Sequence, residues 1–565
     1  MSSPGLEARD ETPTTVAGEA RQGSRSHGLL RAASTISAFT LVSRVLGLAR
    51  DVVTSHVFGT SWVGGVLQLA WMLPNMLRRL FGEGALAAAF VPAYTRRLTQ
   101  GDDASARRLL ASVSGTLIVF LGAVSVVVVV VAYWIPPETW GLEAAADGDP
   151  AGPASATTVG ALLSELVAIL FPYALPICLL GVLAGAQNAL GSFAPTAAAP
   201  ALLNVFGLAG LGCAIARDGD DLAAIARTVA WFLAAGGLAQ LALGIVPLAR
   251  RGELMRPRLP QRGDGSSAVL RAMLPTMLGM SLVQLNVFID QGLAAWLIGP
   301  GSNFHVFLAN RLLLFPHALV ALSLATAVFP SLAAHASVDD QLGLRQRLDT
   351  AVGATLFLAI PATVGIVCLA GPLLDVAFVH GRYTEADAET TRWTTIALVV
   401  GLPALGVGQL AARTLIALGD PATPARIAAW LVLVNLALNL SFVLLLGAGV
   451  AGLTAATSCC TYVNALLLSG TVRRRCGRSA TIAPTARRAL LASLAMALVI
   501  VLLRSVTSRV DGRLATALID LVLPMIVGIA TYVAAQRALG SPELRLLVDR
   551  FRRRRTPLAR KPPDR

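Results

Sequence analysis

Four arginines in this sequence stand where arginine is costly. The stretch SAFTLVSRVLGLARDVVTSHVFG (37–59) is apolar except for Arg44, Arg50, Asp51 and a terminal histidine. The stretch GGVLQLAWMLPNMLRRLFGEGALAAAFVP (64–92) carries Arg78 and Arg79, with Glu83 four residues after Arg79. In FHVFLANRLLLFPHALVALSLATAVFPS (304–331) the single formal charge is Arg311, five residues before Pro316. An ionisable residue at the centre of a membrane helix costs about 2.5–3.5 kcal/mol on insertion scales, so these need a hydrated cavity or compensating partners. Guanidinium stays charged and its planar fork donates two parallel hydrogen bonds, which suits phosphate. Arg44, Arg50, Arg78 and Arg311 together are therefore a candidate site for a polyanion such as a pyrophosphate. Plainer readings exist for each: a structural Arg–Asp pair in the first stretch, interfacial snorkelling of Arg78 and Arg79, and a structural Arg311.

Spacing sets expectations for how these groups meet. Arg44 and Asp51 are seven apart and share a helix face, with Gly47 available for a bend that brings in Arg50. Arg79 and Glu83 are placed to pair at i,i+4. Pro74 removes a backbone hydrogen bond and is expected to break or kink its helix just before the arginines. A second polar set comprises Asp290, in SLVQLNVFIDQGLAAWL (281–297), with Asn435, Asn439 and Thr457. These oxygens could hold a monovalent cation, with Na⁺ the candidate; the alternative is helix–helix hydrogen bonding.

The elements that must position these residues are membrane helices. Of the 565 residues, 55% are hydrophobic and 14% charged, against about 25% charged in soluble domains. Residues 109–137, 166–216 and 427–472 contain no charge, and one crossing takes about 20 apolar residues. The pattern gives about 14 helices. The net charge of +14 is not a nucleic-acid patch, because the cations cluster in alternate loops. RRLTQGDDASARR (96–108), RRGELMRPRLPQR (250–262) and RRRCGR (473–478) fall on one side, opposite the acidic ETWGLEAAADGDP (138–150). The positive-inside rule then puts both termini in the cytoplasm. The six cysteines show no spacing of a zinc site or disulfide framework, and neither HExxH nor GxSxG occurs, so nothing suggests an enzyme.

A weak internal repeat adds topology. Ala189-Leu190-Gly191 recurs as Ala417-Leu418-Gly419, Phe90-Val91-Pro92 as Val328-Phe329-Pro330, and Asn204 as Asn435. The offset is about six helices, an even number, so the halves enter the membrane with the same polarity. The expected architecture is all-α: a disordered tail (1–31), an N-lobe of six helices (32–249), a linker (250–266), a C-lobe of six (267–472), a further helix pair (485–538) and a basic tail (539–565).

SRVLGLARD (43–51), LPNMLRRLFGEGALAAAFVP (73–92), FPYALPICLLGVLAGAQNALGSFAPT (171–196) and ANRLLLFPHALVALSLATAVFPSLA (309–333) resemble the lipid II flippase family, MurJ (also called MviN), within a larger exporter superfamily. The resemblance runs from about residue 32 to about 540. It implies 14 helices in two six-helix lobes plus two, and movement of undecaprenyl-pyrophosphate-linked peptidoglycan precursor, lipid II, from the cytoplasmic to the outer leaflet of the bacterial cytoplasmic membrane. Its functional arginines correspond to Arg44, Arg50, Arg78 and Arg311, and its charge-balancing acids to Asp51 and Glu83. Some members are thought to couple to sodium, which would engage Asp290, Asn435, Asn439 and Thr457. The last helix pair is implied to hold the lipid tail. The expected substrate partners are lipid II and membrane lipids, not nucleic acid, and the acting unit is expected to be a monomer. One departure stands out: many members carry an acid where this chain has Gly65. The alternative reading is an exporter of another lipid-linked oligosaccharide.

Overall fold

The computed structural model describes residues 14–142, 152, 154–318, 323–338, 340–477, 481–507 and 515–545, with side chains described except at 14–33, 82–88, 275–276, 278–280, 282–283, 507 and 515–518. The basic tail from 546 onward and most of the acidic 143–153 segment lie outside the described residues.

Among the described residues every pass is helical, and most are single long helices. Ten segments are long and apolar enough to cross a membrane. They are α4 (Asp103–Trp134), α5–α6 (Ala156–Leu170 and Ala174–Ala189), α7 (Ala194–Asp218), α8 (Leu222–Arg250), α12 (Gln341–Ala377), α13–α14 (Glu385–Val399 and Leu402–Ala417), α15 (Ala422–Leu440, extended to Leu445), α16 (Gly449–Cys476), α17 (Ile482–Thr507) and α18 (Ala515–Ala538). The other passes are α1 (Thr14–Phe58), α2 (Trp62–Leu77) continuing into α3 (Leu86–Thr99), α9 (Ser266–Leu297), and α10 (Ser302–Pro316) followed by α11 (Ser323–Ser337). That makes fourteen in sequence order. Large apolar side chains point outward, with Trp134 84%, Leu445 81% and Leu466 71% exposed, as a lipid-facing surface requires.

The two halves repeat the same local devices. Ala189-Leu190-Gly191 closes α6, with Gly191 at φ 75° and the Ser192 amide donating to the Gln187 carbonyl. Its counterpart closes α14, with Gly419 at φ 78° and the Asp420 amide donating to Leu415. Both are six-to-one helix caps that need a left-handed residue, which glycine supplies without a Cβ penalty. The fourth and tenth passes are each split in two, at Phe171–Tyr173 and at Val400–Gly401. The second is interrupted as well, and in the eighth α10 gives way to π-helical geometry at His317 and Ala318. In the first half Asn204 of α7 donates to the Ser43 carbonyl of α1; in the second, Asn439 of α15 donates to Asp290 of α9. Each half thus fastens its fifth pass to its first with an amide.

Within the first half α1 packs along α7, α7 along α8, and α6 is enclosed by α3, α4 and α8. In the second, α12, α13 and α16 surround α14 and α10. The pair α17–α18 lies against α12, where Tyr532 donates to the Phe357 carbonyl. The halves meet where α2 touches α10, and where α3 and the segment before it touch α9.

Two local expectations change. Helix α1 begins at Thr14, inside the expected disordered tail. The segment has three glycines (Gly18, Gly23 and Gly28) and weak propensity of its own, but extending an existing helix costs far less than nucleating one. Helix α2 continues through Pro74; the interruption comes one turn later, as a π-helical segment over Arg78–Ala85. Pro74 costs its own N–H bond, and the wider turn after it leaves the Leu77 carbonyl to accept from Cys178 Sγ at 3.5 Å.

The linker between the halves is an extended strap. The Arg258 amide donates to the Ala111 carbonyl and its guanidinium to Ser112 Oγ. Arg97 donates to the Asp264 carbonyl oxygen at 2.9 Å. Burial alone would raise the Asp264 pKa, but hydrogen bonds from the Gln261 and Ser266 amides and the Ser266 and Ser112 hydroxyls outweigh it and hold the carboxyl far below its usual range. A depressed folded-state pKa contributes stability that is complete above the unfolded value and is lost as pH falls through the folded one. Asp264→Asn is therefore expected to speed proteolytic cleavage within 252–262 several-fold at pH 7. In the parent chain the strap should hold above about pH 5 and begin to loosen below about pH 4. Equal cleavage rates of parent and variant at pH 7 would remove this role.

Candidate functional site

The centre of the site is one carboxylate. Asp51, on α1, is 2% exposed. Its Oδ1 accepts from Arg50 Nη2 at 2.8 Å and its Oδ2 from Arg311 Nε at 2.5 Å. Arg311 lies on α10, in the other half of the molecule and 260 residues away in sequence. Small residues make room for both guanidinium groups. A Cβ on Gly47 would stand 3.1 Å from Arg311 Nη2, and one on Gly207 of α7 would stand 3.0 Å from the Arg50 stem. The Asn204–Ser43 bond holds α1 to α7 one turn away. Two cations on one anion leave a surplus of one positive charge at the seam between the halves.

Not all the arginines gather there. Arg44 is exposed and lies six residues, roughly 9 Å of helix rise, from Arg50. The shared face of Arg44 and Asp51 does not produce a pair, because on the unbroken α1 seven residues set them roughly 10 Å apart along the axis. Arg78 is half-buried on the far side of Pro74, with Nε donating to Asn75 Oδ1 at 3.1 Å. Arg79 reaches across to α9 and donates to Gln284 Oε1 at 3.1 Å. Gln284 was not among the expected site residues; an amide in an apolar helix was its only signal. The side chain of Glu83 lies outside the described residues. Beside Asp51 is a cavity of about 60 Å³, lined by Arg50, Thr54, Gln68 and Trp71 from the first half and Phe307 from the second.

The second polar set does come together. Asp290 on α9 is 8% exposed. Its two oxygens accept from Asn439 Nδ2 and from Thr457 Oγ1, both at 2.7 Å. Asn439 Nδ2 also meets Asn435 Oδ1 at 3.0 Å, and Asn435 Nδ2 donates to Thr457 Oγ1 at 3.3 Å. Asn439 Oδ1 is buried with no hydrogen-bond partner among the described residues. Among those residues no three of His, Cys, Asp and Glu cluster as metal ligands.

At the end of the bundle near residue 60 the halves are latched together. Thr60 Oγ1 donates to Asp387 Oδ1 at 2.6 Å. The Arg382 amide and guanidinium donate to the His56 and Val57 carbonyls. Asn303 Nδ2 donates to the Gly65 carbonyl at 2.9 Å. A Cβ on residue 65 would fall 1.5 Å from the Pro300 carbonyl oxygen, so no other residue fits this approach without a backbone shift. Behind it, buried His305 and Tyr383 both meet the Thr391 hydroxyl.

A family-wide sequence profile, described as lipid II flippase MurJ, matches residues 54–523. The chain belongs to the lipid II flippase MurJ family. It is 32% identical to the probable lipid II flippase MurJ of Vibrio cholerae over 447 residues, 78% of this chain and 82% of that one. The lipid II flippase MurJ of Burkholderia cenocepacia is 32% identical over 457 residues, 79% and 84% of the two chains. Among solved structures, a lipid II flippase MurJ in an inward closed conformation superposes with a TM-score of 0.70 at 25% identity, covering 91% of this chain and 99% of that one. An inward-facing multidrug transporter of the MATE family superposes at 0.60 with 16% identity, covering 79% and 98%, which shows a shared fold. The chain is a multi-pass membrane transporter of this family and not an enzyme.

The Asp51 arrangement predicts a specific coupling. Removing one partner of a buried ion pair costs about 3–5 kcal/mol because the survivor is left unpaired. Among the described residues Asp51 has a second ion-pair partner and each arginine has not. Asp51→Asn should therefore lower the thermal midpoint of the purified protein more than Arg311→Gln does. The double variant should be at least about 1 kcal/mol less destabilised than the sum of the two. Strict additivity would mean that the pair contributes nothing.

Proposed function

We propose that this chain carries lipid II, an undecaprenyl-pyrophosphate-linked peptidoglycan precursor, from the cytoplasmic to the outer leaflet by alternating access of its two lobes, 32–249 and 267–472. The observation that carries this reading is the Asp51 carboxylate held by Arg50 and Arg311 at the seam of the lobes, in a member of the MurJ family. With no substrate, Asp51 neutralises part of the charge. A pyrophosphate offers the same guanidinium groups more oxygens and more charge, and so competes for them. Arg44 and Arg78 extend the cationic track along α1 and α2, with Glu83 balancing charge near the π-helical segment. The pair α17–α18 offers the apolar polyprenyl chain a place against α12.

Orientation follows from loop charge. Arg96, Arg97, Arg107, Arg108, Arg250, Arg251 and Arg473–Arg475 all lie at one end of the bundle, which the positive-inside rule makes cytoplasmic, with both termini there. The Thr60–Asp387 and Asn303–Gly65 latch then closes the outer end, and the arrangement described is the inward one. A monomer suffices, since both lobes and the seam come from one chain.

Arg50→Ala, Arg78→Ala and Arg311→Ala are each expected to abolish support of growth as sole copy, at membrane levels within about twofold of the parent. Lysine at these positions should rescue poorly, because a point charge cannot reproduce the planar fork. Survival with two of the three alanines would end the cavity reading. Purified protein should bind undecaprenyl-pyrophosphate lipids far better than undecaprenol, more weakly as salt rises. Binding should survive removal of residues 551–565, the opposite result placing recognition on the membrane surface.

The Asp290 cluster is proposed to hold Na⁺. Its fit is chemical: one carboxylate, the Thr457 hydroxyl and the amide oxygens of Asn435 and Asn439, with Asn439 Oδ1 unpaired in the described structure. The carboxylate would balance the ion's charge, and the ion would tie α9, α15 and α16. Asp290→Asn should leave expression near normal and make transport insensitive to sodium. A sodium dependence identical to the parent's would exclude the site.

A further inference from the structure

The arginines account for a phosphate but not for what the phosphate carries. We infer that Trp71 and Gln68 of α2 form a carbohydrate subsite beside the pyrophosphate site, selecting a lipid whose first sugar is attached to the phosphate; this rests on the function proposed above. The two residues are three apart, so they share a helix face, and both line the cavity that holds Arg50 and Asp51. A phosphate on Arg50 has its glycosidic bond within that same space.

The chemistry of the two side chains suits a sugar. A pyranose presents an apolar face of C–H groups and a rim of hydroxyl or acetamido groups. Such a ligand is held by an aromatic platform together with a few convergent polar groups. Trp71 is a platform fixed from behind. Its ring packs on buried Tyr173 with centroids 4.9 Å apart. Tyr173 donates to Gln240 Oε1 at 3.1 Å, and Gln240 Nε2 donates to the Ala199 carbonyl at 2.7 Å. One side of the indole is thus committed to the protein and another borders the cavity. Gln68 is half-buried, and its side-chain amide has no hydrogen-bond partner among the described residues. An amide donates and accepts at once, which matches an acetamido group or a pair of hydroxyls.

The size of the cavity says when the subsite works. At about 60 Å³ it has room for roughly two waters, not a sugar ring. Its walls come from opposite halves, Trp71 and Gln68 from α2 and Phe307 from α10. Separation of α2 from α10 opens the subsite, and their return would clamp or expel what it holds.

The test compares two lipids on the purified full-length protein in nanodiscs: undecaprenyl pyrophosphate, and the same lipid carrying its N-acetylated amino-sugar disaccharide. The parent should prefer the sugar-bearing lipid by about tenfold or more, a difference of about 1.4 kcal/mol. Trp71→Ala and Gln68→Leu should each cut that preference to threefold or less while affinity for undecaprenyl pyrophosphate stays within twofold. Trp71→Phe, which keeps a ring against Tyr173, should retain most of the preference and serves as the control for folding. An unchanged preference in both Trp71→Ala and Gln68→Leu overturns the subsite. So does a parent that binds the two lipids equally, although its preference for pyrophosphate over undecaprenol would then leave the transport reading standing. Failure of the parent to distinguish undecaprenyl pyrophosphate from undecaprenol removes both.

Discussion

A carboxylate with almost no exposure to solvent is stable as an anion only if its neighbours replace the water it has lost. Asp51 has two guanidinium neighbours, one from its own helix and one from the opposite half of the molecule. Much of the surrounding sequence serves that contact. Gly47 and Gly207 leave the space the arginine side chains occupy. Asn204 fixes α1 to α7 so that Asp51 faces the seam rather than the lipid. Arg311 can stand alone in an apolar helix because its counter-ion arrives from 260 residues away. Remove the carboxylate and two like charges face each other, leaving apolar packing such as that of Val52 against the second half to hold the lobes there.

That Arg50, Asp51 and Arg311 would need partners or a cavity was legible in the sequence, since a charge inside an apolar run cannot stand alone. Which groups would pair was not. Helical spacing favoured Arg44 with Asp51, and the observed partners are an adjacent residue and one on another lobe. Spacing rules describe a single helix, and this pair is made by tertiary packing. The six-helix repeat was legible because Ala-Leu-Gly is a helix ending with a physical cause, a left-handed glycine, and the structure uses it twice. The oxygen cluster at Asp290 was legible for a similar reason: polar residues in apolar helices seek one another. The π-helical segment at Arg78–Ala85 was displaced from the expected Pro74 break. Proline announces a lost hydrogen bond, but where the register change settles depends on contacts such as Cys178 with the Leu77 carbonyl.

The latch near residue 60 was not legible in the sequence. Thr384 and Asp387 form a capping box at the start of α13. Nothing in their spacing says that Asp387 also receives Thr60 from the other half. Gly65 is the more instructive position. When only side chains are counted, a glycine contributes nothing to a contact between the halves. In the folded chain it permits a backbone approach that a Cβ would block, and Asn303 supplies the polar contact instead.

The Asp51 seam and the latch near residue 60 are built from different interactions, and this bears on how a bound anion could move the halves. The latch is made largely of hydrogen bonds to main-chain carbonyls, together with the Thr60–Asp387 bond, and none of its partners is an arginine of the seam. The seam is an ion pair with one charge in surplus. A ligand shifts a conformational equilibrium only by its differential affinity for the two states. On the proposed reading, an incoming pyrophosphate competes directly with Asp51, and what it weakens is the tie between α1 and α10. The latch need not be touched for the balance between inward and outward states to change. Once the anion leaves, Asp51 recovers both arginines and the inward arrangement is restored without any further ligand. The carboxylate is then a built-in competitor that limits how tightly the substrate is held, as a transporter that must also release its cargo requires.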